Sequence, residues 1–299
     1  MKRLFLLIVA FPGLLFSFQS GNLKTLVEVG CRTEISSLIS DSLHFDLFLI
    51  RSKYSGDLSD NITIFLQGEY STFGDITTFP YFKTRGGKLY LRDALFIFKL
   101  QNFGVNVGRF VPNLNYMLSQ SILELPTVHY SIVNERFLNN RIDGIEGDYS
   151  MTVPYNKIRL NMTFGEYNGY KYKSVSINDA VGENAVFSLY AGSRDTLWSK
   201  FNDYIMGGYS NFRFGPFSII GEIGKHQTPT GGNLFYSIYG MLKFRKLWFG
   251  FLFDSYGNNS EIATSADFWI VENRFDINAK YEINLNKNNK FYLLLKGII

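Results

Sequence analysis

Five arginines surround one irregular segment of the sequence and are its strongest candidates for chemistry: Arg92, Arg109, Arg136, Arg141 and Arg159. A guanidinium group is always charged and can bind a phosphate or carboxylate through two parallel hydrogen bonds. The chemistry that these residues suggest is therefore anion binding. A second interpretation stays open, in which each arginine forms a purely structural ion pair with a nearby carboxylate. The candidate partners are Asp93, Glu135, Asp143, Glu146 and Asp148.

Other side chains give weaker signals for metal binding or catalysis. The three histidines, His44, His129 and His226, lie far apart and lack ligand-like spacing to acidic residues, so we predict neither a metal site nor a cofactor. A serine paired with His129 could form the nucleophile of a hydrolase, but no nucleophile motif surrounds the available serines. These are Ser119, Ser121 and Ser131. We expect a protein that is not an enzyme.

The irregular segment follows a predicted hairpin. The strand-like runs Lys88–Leu100 and Phe103–Phe110 are joined by only Gln101 and Asn102, which is the spacing of a tight β-hairpin. The chain then leaves the strand pattern at Val111 and returns to it at Arg141. A long irregular excursion between regular strands is usually functional. We predict that residues 111–140 fold into the lumen of a β-barrel and narrow it as a constriction loop.

Apolar and polar residues alternate along most of the remaining chain. In Asn273–Leu285, Phe275, Ile277 and Ala279 share one face while Asp276 and Asn278 share the other, as in a half-buried strand. A soluble β-sandwich would show the same alternation. Strand lengths near those that cross a bilayer, and apolar faces rich in the 29 Phe and 19 Tyr residues, favour an antiparallel transmembrane barrel instead.

The pattern predicts about fourteen strands, with a range of twelve to sixteen, since single-chain bacterial barrels have an even number. Treating Tyr170–Ile177 as a strand would make fifteen. Without it, Gly215-Pro216 and Arg245-Lys246 are short turns at the end that should carry loops. The long loops predicted at that end are 72–87, 169–183 and 257–270.

The first nineteen residues have the features of a signal peptide, and we assign 20–299 to a single barrel domain. Lys2-Arg3 precedes the apolar run Leu4–Phe11, and Leu15–Ser17 is a plausible cleavage region. A membrane anchor is disfavoured because that run is short. The single cysteine, Cys31, excludes an intrachain disulfide, and a net charge of +4 is too small to indicate nucleic-acid binding.

Several motifs around the excursion resemble those of the phosphate-selective porin (porin O and P) family. Before the excursion stand Arg92-Asp93-Ala94, Val107-Gly108-Arg109-Phe110 and Pro112; after it stand Asn134-Glu135-Arg136, Asn140-Arg141 and Gly144. The resemblance covers about residues 88–147 and continues weakly through Gly221-Glu222, Phe253–Tyr256 and the C-terminal hairpin. It implies a bacterial outer-membrane barrel that is embedded in lipid and assembles as a homotrimer. It also implies passive diffusion of small hydrophilic solutes, with a modest preference for anions such as phosphate.

Two hypotheses for function follow. In the first, the chain is a passive porin, and one or two of its five candidate arginines face the path of the anion. In the second, it is a non-conducting barrel whose long outer loops bind a partner or serve structure.

Overall fold

Sixteen antiparallel strands close into one barrel in the computed structural model of the protein. The structure describes residues 21–35, 43–71, 88–115, 137, 141–167, 169–196, 202–271, 275–284 and 289–298. Each strand pairs with its neighbours in sequence, and the first pairs with the last, from Leu26 opposite Ile298 to Ile35 opposite Asn289. Closure leaves no strand edge without hydrogen-bonding partners. The prediction of an all-β antiparallel barrel is confirmed.

The strands are numbered in chain order. They are β1 (Gly21–Ile35), β2 (Leu43–Ser59), β3 (Ile62–Ser71), β4 (Lys88–Leu100), β5 (Phe103–Phe110), β6 (Ile142–Val153), β7 (Asn156–Tyr167), β8 (Tyr170–Val181), β9 (Ala185–Thr196), β10 (Asn202–Phe214), β11 (Phe217–Thr228), β12 (Gly231–Phe244), β13 (Leu247–Tyr256), β14 (Asn259–Val271), β15 (Phe275–Asn284) and β16 (Asn289–Ile298). None of the described segments is a helix long and apolar enough to span a membrane.

Sixteen strands is the upper bound of the predicted range of twelve to sixteen, and the central value of fourteen omits β8 and β14. Both stretches predicted as loops, 169–183 and 257–270, are mainly strand. Lys171 and Lys173 interrupt the apolar face of β8, and Thr264 and Ala266 make the apolar face of β14 less hydrophobic. The alternation of apolar and polar residues is therefore weak in both strands. Pairing with stronger neighbours defines both. The predicted loop at 72–87 lies outside the described residues.

The two ends of the barrel differ in their connections. At one end every link is two or three residues long, from Asp60-Asn61 to the link between β14 and β15. With β8 included, Gly215-Pro216 and Arg245-Lys246 fall at this short-turn end. Tight turns there require positive φ, which Gln101 (51°) and Tyr155 (69°) adopt. The opposite end, called the loop end, carries the long excursion between β5 and β6.

The register separates an outward from an inward face. Residues directly opposite each other in an antiparallel pair share a face. Phe96, Val107, Ile145 and Phe164 form one such row, and its large members are exposed. Glu222, Ser237, Asp254 and Glu261 form an inward row, and all four are buried. An apolar exterior around a polar interior is typical of β-barrels that cross membranes.

Candidate functional site in the barrel lumen

The excursion after β5 turns into the barrel. Leu114 and Phe137 are only 1% and 2% exposed. They belong to a buried apolar cluster with inward-facing residues of the wall, among them Ile205, Phe235 and Tyr256. The described parts of the predicted constriction loop, 111–115 and 137, thus lie in the lumen. The rest of that loop is outside the described residues.

The outgoing limb of the excursion, residues 111–115, is fixed to two buried glutamates. The backbone N–H of Asn113 donates to Glu146 Oε2 at 2.9 Å, and Asn115 Nδ2 donates to Glu222 Oε1 at 2.9 Å. The Ser176 hydroxyl donates to the Asn113 carbonyl at 3.2 Å. These contacts tie the limb to β6, β8 and β11, so it crosses the inside of the barrel rather than following one strand.

Each glutamate also accepts hydrogen bonds from the wall. Thr163 Oγ1 donates to Glu146 Oε2 at 3.0 Å, and Asn106 Nδ2 donates to Oε1 at 3.4 Å. The Tyr190 hydroxyl donates to Glu222 Oε1. A buried carboxylate is costly unless it accepts several hydrogen bonds. The outgoing limb therefore supplies donors that the two carboxylates need.

Phe137, on the return limb, is held by Arg194 of β9. Arg194 Nη1 donates to the Phe137 carbonyl at 3.2 Å, and the guanidinium lies 5.7 Å from the centre of the Phe137 ring. The same guanidinium donates twice to Asp203 Oδ2, from Nε at 3.1 Å and from Nη2. Because Asp203 neutralises the cation, Arg194 can contact an apolar ring and a carbonyl inside the barrel.

His226 completes this arrangement from β11. Its Nε2 lies 2.5 Å from Asp203 Oδ1, its Nδ1 lies 2.9 Å from the Tyr256 hydroxyl, and Asn233 Nδ2 donates to that hydroxyl at 3.2 Å. A neutral imidazole protonated at Nε2 satisfies every contact, since Nε2–H donates to Asp203 while Tyr256 donates to Nδ1. The imidazole also meets the Phe137 ring edge-on at 5.3 Å between centroids. We call Arg194, Asp203, His226 and Tyr256 the return-limb clamp.

No motif in the sequence indicates the return-limb clamp. Its members come from four strands and have no motif-like spacing. The barrel register brings them together, with Asp203 opposite Arg194 and Ile205 opposite His226.

Two of the predicted anion-binding arginines form buried ion pairs. Arg92 sits where β4 bulges against β3, and its Nη1 lies 2.5 Å from Glu69 Oε2. Arg141 Nε and Nη2 donate to the two oxygens of Asp93 at 2.6 and 3.3 Å. Both pairs match the structural interpretation, although Glu69 was not among its expected partners.

The other three arginines have different surroundings. Arg109 lies opposite Ala94 and Asp143 on the outward face, 3.7 Å from Asp143 Oδ2, which corrects its expected place in the lumen. Arg159 faces inward, 3.2 Å from Asp148, with 43% of its side chain exposed. Arg136 lies outside the described residues. Arg159 is thus the predicted arginine that the described structure presents to the lumen with an accessible guanidinium.

Further basic residues line the inner face near the short-turn end. With Arg159 they make five residues that register places inward within a few residues of the turns: Lys99, Lys157, Arg159, Arg213 and Lys243. The four besides Arg159 are exposed. Acidic neighbours on the same inner surface are Asp57, Asp148 and Asp267. We call the five the short-turn basic group. Across the described ranges, no group of three or more His, Cys, Asp or Glu side chains could hold a metal ion.

No protein-family model matches the sequence, and no curated protein matches it. Solved structures do match. The anion-selective porin from Comamonas acidovorans superposes with a TM-score of 0.65 at 10% identity, covering 94% of this chain and 99% of the porin. Salmonella typhi OmpF, in complex with daunomycin, gives 0.65 at 8% identity, covering 93% and 97%.

The outer-membrane channel DcaP of Acinetobacter baumannii gives a TM-score of 0.63 at 11% identity, covering 93% of this chain and 97% of DcaP. At such identities the likeness concerns the fold. The chain has the architecture of the porin barrels of bacterial outer membranes.

Proposed function

We propose that the protein is an outer-membrane porin, a passive diffusion channel for small hydrophilic solutes with a modest preference for anions. The observation that carries the proposal is the excursion held inside a barrel whose outer face is apolar and whose inner face is polar. Residues 1–19 would be the signal peptide that directs export. The likeness in fold to an anion-selective porin and to an outer-membrane channel supports this.

Anion preference rests on the short-turn basic group rather than on the arginines beside the excursion. Two unit charges about 4 Å apart interact by about 1 kcal/mol in bulk water and about 4 kcal/mol at an effective dielectric near 20. A pore mouth lies between these limits, so each cation can shift the anion-to-cation ratio severalfold. Asp57, Asp148 and Asp267 offset part of this field. We therefore expect modest selectivity, with phosphate among several permeant anions.

We also propose a homotrimer, surrounded by outer-membrane lipid. The likeness in fold to a Vibrio cholerae outer-membrane protein solved in a trimer form supports it. A heat-labile band at three times the monomer mass on unboiled gels is the expected result. A monomer in mild detergent would contradict it.

A non-conducting barrel remains the second candidate, because the apolar cluster around Leu114 and Phe137 occupies lumen volume. A barrel hydrolase would depend on His129, which lies outside the described residues. It would require lipid hydrolysis that His129→Ala abolishes.

Reconstitution into planar bilayers distinguishes a conducting channel from a non-conducting barrel. Stepwise conductance, with a reversal potential in a salt gradient displaced modestly towards anions, is expected. Folded, inserted protein without conductance steps would overturn the channel. Normal conductance with cation preference would overturn the anion assignment alone.

A further inference from the structure

A second set of polar side chains lies on the inner wall, away from the return-limb clamp. Register places four of them in one inward row across the consecutive strands β7–β10: Arg159, Asn178, Ser188 and Tyr209. Directly opposed residues of an antiparallel pair share a face and stand about 5 Å apart at Cβ. Each member of the row is therefore within reach of the next.

The side chain of Tyr209 lies along the wall rather than towards the barrel axis. Its hydroxyl donates to Asn178 Oδ1 at 3.0 Å. Because Asn178 is two strands away, the tyrosine side chain crosses β9 at the position of Ser188. Ser188 is accordingly only 4% exposed. Tyr209 thus covers Ser188, and its bond to Asn178 holds the cover in place.

Two buried polar atoms beside this cover have no hydrogen-bond partner within the described part of the chain: Ser188 Oγ and Asn211 Oδ1. Asn211 follows Tyr209 by two residues, so it is on the same face of β10, and it is also 4% exposed. Buried polar groups are almost always hydrogen-bonded, and each exception needs an explanation. Both atoms can accept a hydrogen bond, so a ligand that satisfies them must carry donors.

Small side chains lie next to Ser188 on the side of the short turns. In the adjacent inward row, Ala180 is opposite Val186, and Val186 is opposite Asn211. These residues form an apolar floor between Ser188 and Asn211, with space above it once Tyr209 turns away.

Two cations border this floor. Arg159 contacts Asp148 at 3.2 Å, but its side chain is still 43% exposed. Lys157 is exposed and lies opposite Ala180. Asp148 offsets only part of the positive charge. The border therefore favours an anionic group and disfavours an ammonium group as the source of the donors.

We propose that these residues form a covered pocket for hydroxylated carboxylic acids of the sugar-acid class. Arg159 binds the carboxylate. Hydroxyl groups of the ligand donate to Ser188 Oγ and Asn211 Oδ1, and to Asn178 Oδ1 after Tyr209 releases it. The inference rests on the proposed function, because it names a class of solute for the same lumen.

Three six-carbon probes test the pocket by isothermal titration calorimetry of the purified full chain, in a detergent without sugar head groups and against a micelle blank. Gluconate carries a carboxylate and hydroxyls, hexanoate only the carboxylate, and sorbitol only hydroxyls. Gluconate should bind at least about tenfold more tightly than either, because it alone satisfies both Arg159 and the buried acceptors. Gluconate affinity no better than that of hexanoate or sorbitol would overturn the proposal.

Ser188→Ala should lower gluconate affinity about tenfold. Its unfolding midpoint in urea should stay the same or rise, because the lost hydroxyl makes no hydrogen bond within the described part of the barrel. A lower midpoint with unchanged gluconate affinity would mean a structural role and overturn the pocket. Ser265→Ala is the matched control, since Ser265 is also buried but lies on β14. An equal loss of affinity in the control would overturn the assignment as well.

Tyr209→Phe keeps the ring and removes the hydroxyl that holds it to Asn178. Gluconate affinity should rise severalfold, since no hydrogen bond has to break before the ligand enters. A fall in affinity would show that Tyr209 does not act as a cover.

Arg159→Gln should lower gluconate affinity at least about tenfold and leave the weak binding of sorbitol unchanged. Lys225→Gln removes the same charge from the outward face, where Lys225 lies opposite the exposed Leu234. It should bind gluconate as the natural sequence does. Equal losses in the two variants would reduce the effect to net charge and overturn the role of Arg159.

Binding in detergent does not require a conducting channel, so the two proposals can fail separately. Gluconate binding by a protein that never conducts would overturn the channel and leave the pocket standing. Normal conductance without gluconate binding would overturn the pocket alone.

Discussion

Arg194 and Asp203 face each other across β9 and β10, and the guanidinium that pairs with this carboxylate also donates to the carbonyl of Phe137. One ion pair of the barrel wall thereby holds a residue of the excursion that crosses the lumen. Wall stability and the position of the excursion should consequently change together.

Arg194→Gln should show that coupling. The variant loses the contact to the Phe137 carbonyl and leaves Asp203 with His226 as its remaining clamp partner, at a cost of about 1.5–3 kcal/mol. We expect a lower midpoint in urea unfolding and more frequent closures in single-channel records. Arg109→Gln is the matched control, because its ion pair is long and exposed. Equal effects in both variants would show that the clamp has no special part.

His226→Leu should destabilise the barrel by about 2 kcal/mol, since Asp203 loses the donor at Nε2 and the Tyr256 hydroxyl loses the acceptor at Nδ1. His226→Gln keeps one donor and one acceptor and should recover part of the loss. Unfolding of both variants by denaturant, followed by tryptophan fluorescence, measures the difference. If glutamine is no better than leucine, the hydrogen bonds of the imidazole do not support the clamp.

Glu222 should matter as an acceptor for both the excursion and the wall. Glu222→Ala leaves Asn115 Nδ2 and the Tyr190 hydroxyl without this acceptor, which costs about 1–3 kcal/mol. Glu222→Gln keeps an acceptor oxygen and should lie nearer the natural sequence. Heat modifiability on gels and unfolding midpoints provide the readouts. A glutamine variant as weak as alanine would mean that the negative charge itself is required.

Ion selectivity should respond to the short-turn end. Lys99→Gln, Lys157→Gln, Arg213→Gln together should move the reversal potential towards cations, severalfold in permeability ratio. Arg141→Ala should instead destabilise the barrel by about 3 kcal/mol, since it breaks a buried bidentate pair with Asp93. A selectivity change for Arg141→Ala at unchanged stability would return the anion site to the excursion.

Gly192 provides the space for Phe137. A Cβ at this position would lie 3.3 Å from Phe137 Cε1, which is closer than an ordinary contact. Gly192→Val should therefore displace the ring and weaken the Arg194 contact, and single-channel closures should become more frequent. The control is Gly147→Val, because no atom lies within 4 Å of the added Cβ. Gly182→Val is unsuitable, because the positive φ of Gly182 strains any other residue.

The sequence predicted the hairpin of β4 and β5 to the residue, because both strands alternate strongly and a two-residue link fixes their turn. The fourteen-strand prediction omits β8 and β14, whose outward faces carry lysines or small residues. Only the order of the turns indicated a strand at Tyr170–Ile177, which lies within β8. The arginines illustrate a different limit. Their residue type indicated anion binding. Whether Arg109 faces the lumen, however, depends on the strand register. The roles of Arg92 and Arg141 depend on carboxylates that face them from other parts of the fold.

The return-limb clamp could not be predicted from the sequence for the same reason. Its four residues become neighbours only when the five consecutive strands β9 to β13 are paired in register, and no local sequence pattern encodes that arrangement.

The seam between β1 and β16 pairs segments from nearly opposite ends of the chain. Forming it brings together residues separated by almost the whole sequence, which carries a large entropic cost and makes closure a late, slow event in folding. Until then the growing sheet has two exposed edges that can pair with any other extended chain. Any factor that shields those two edges until the seam forms would therefore shorten the interval in which the sheet can pair with other chains and aggregate.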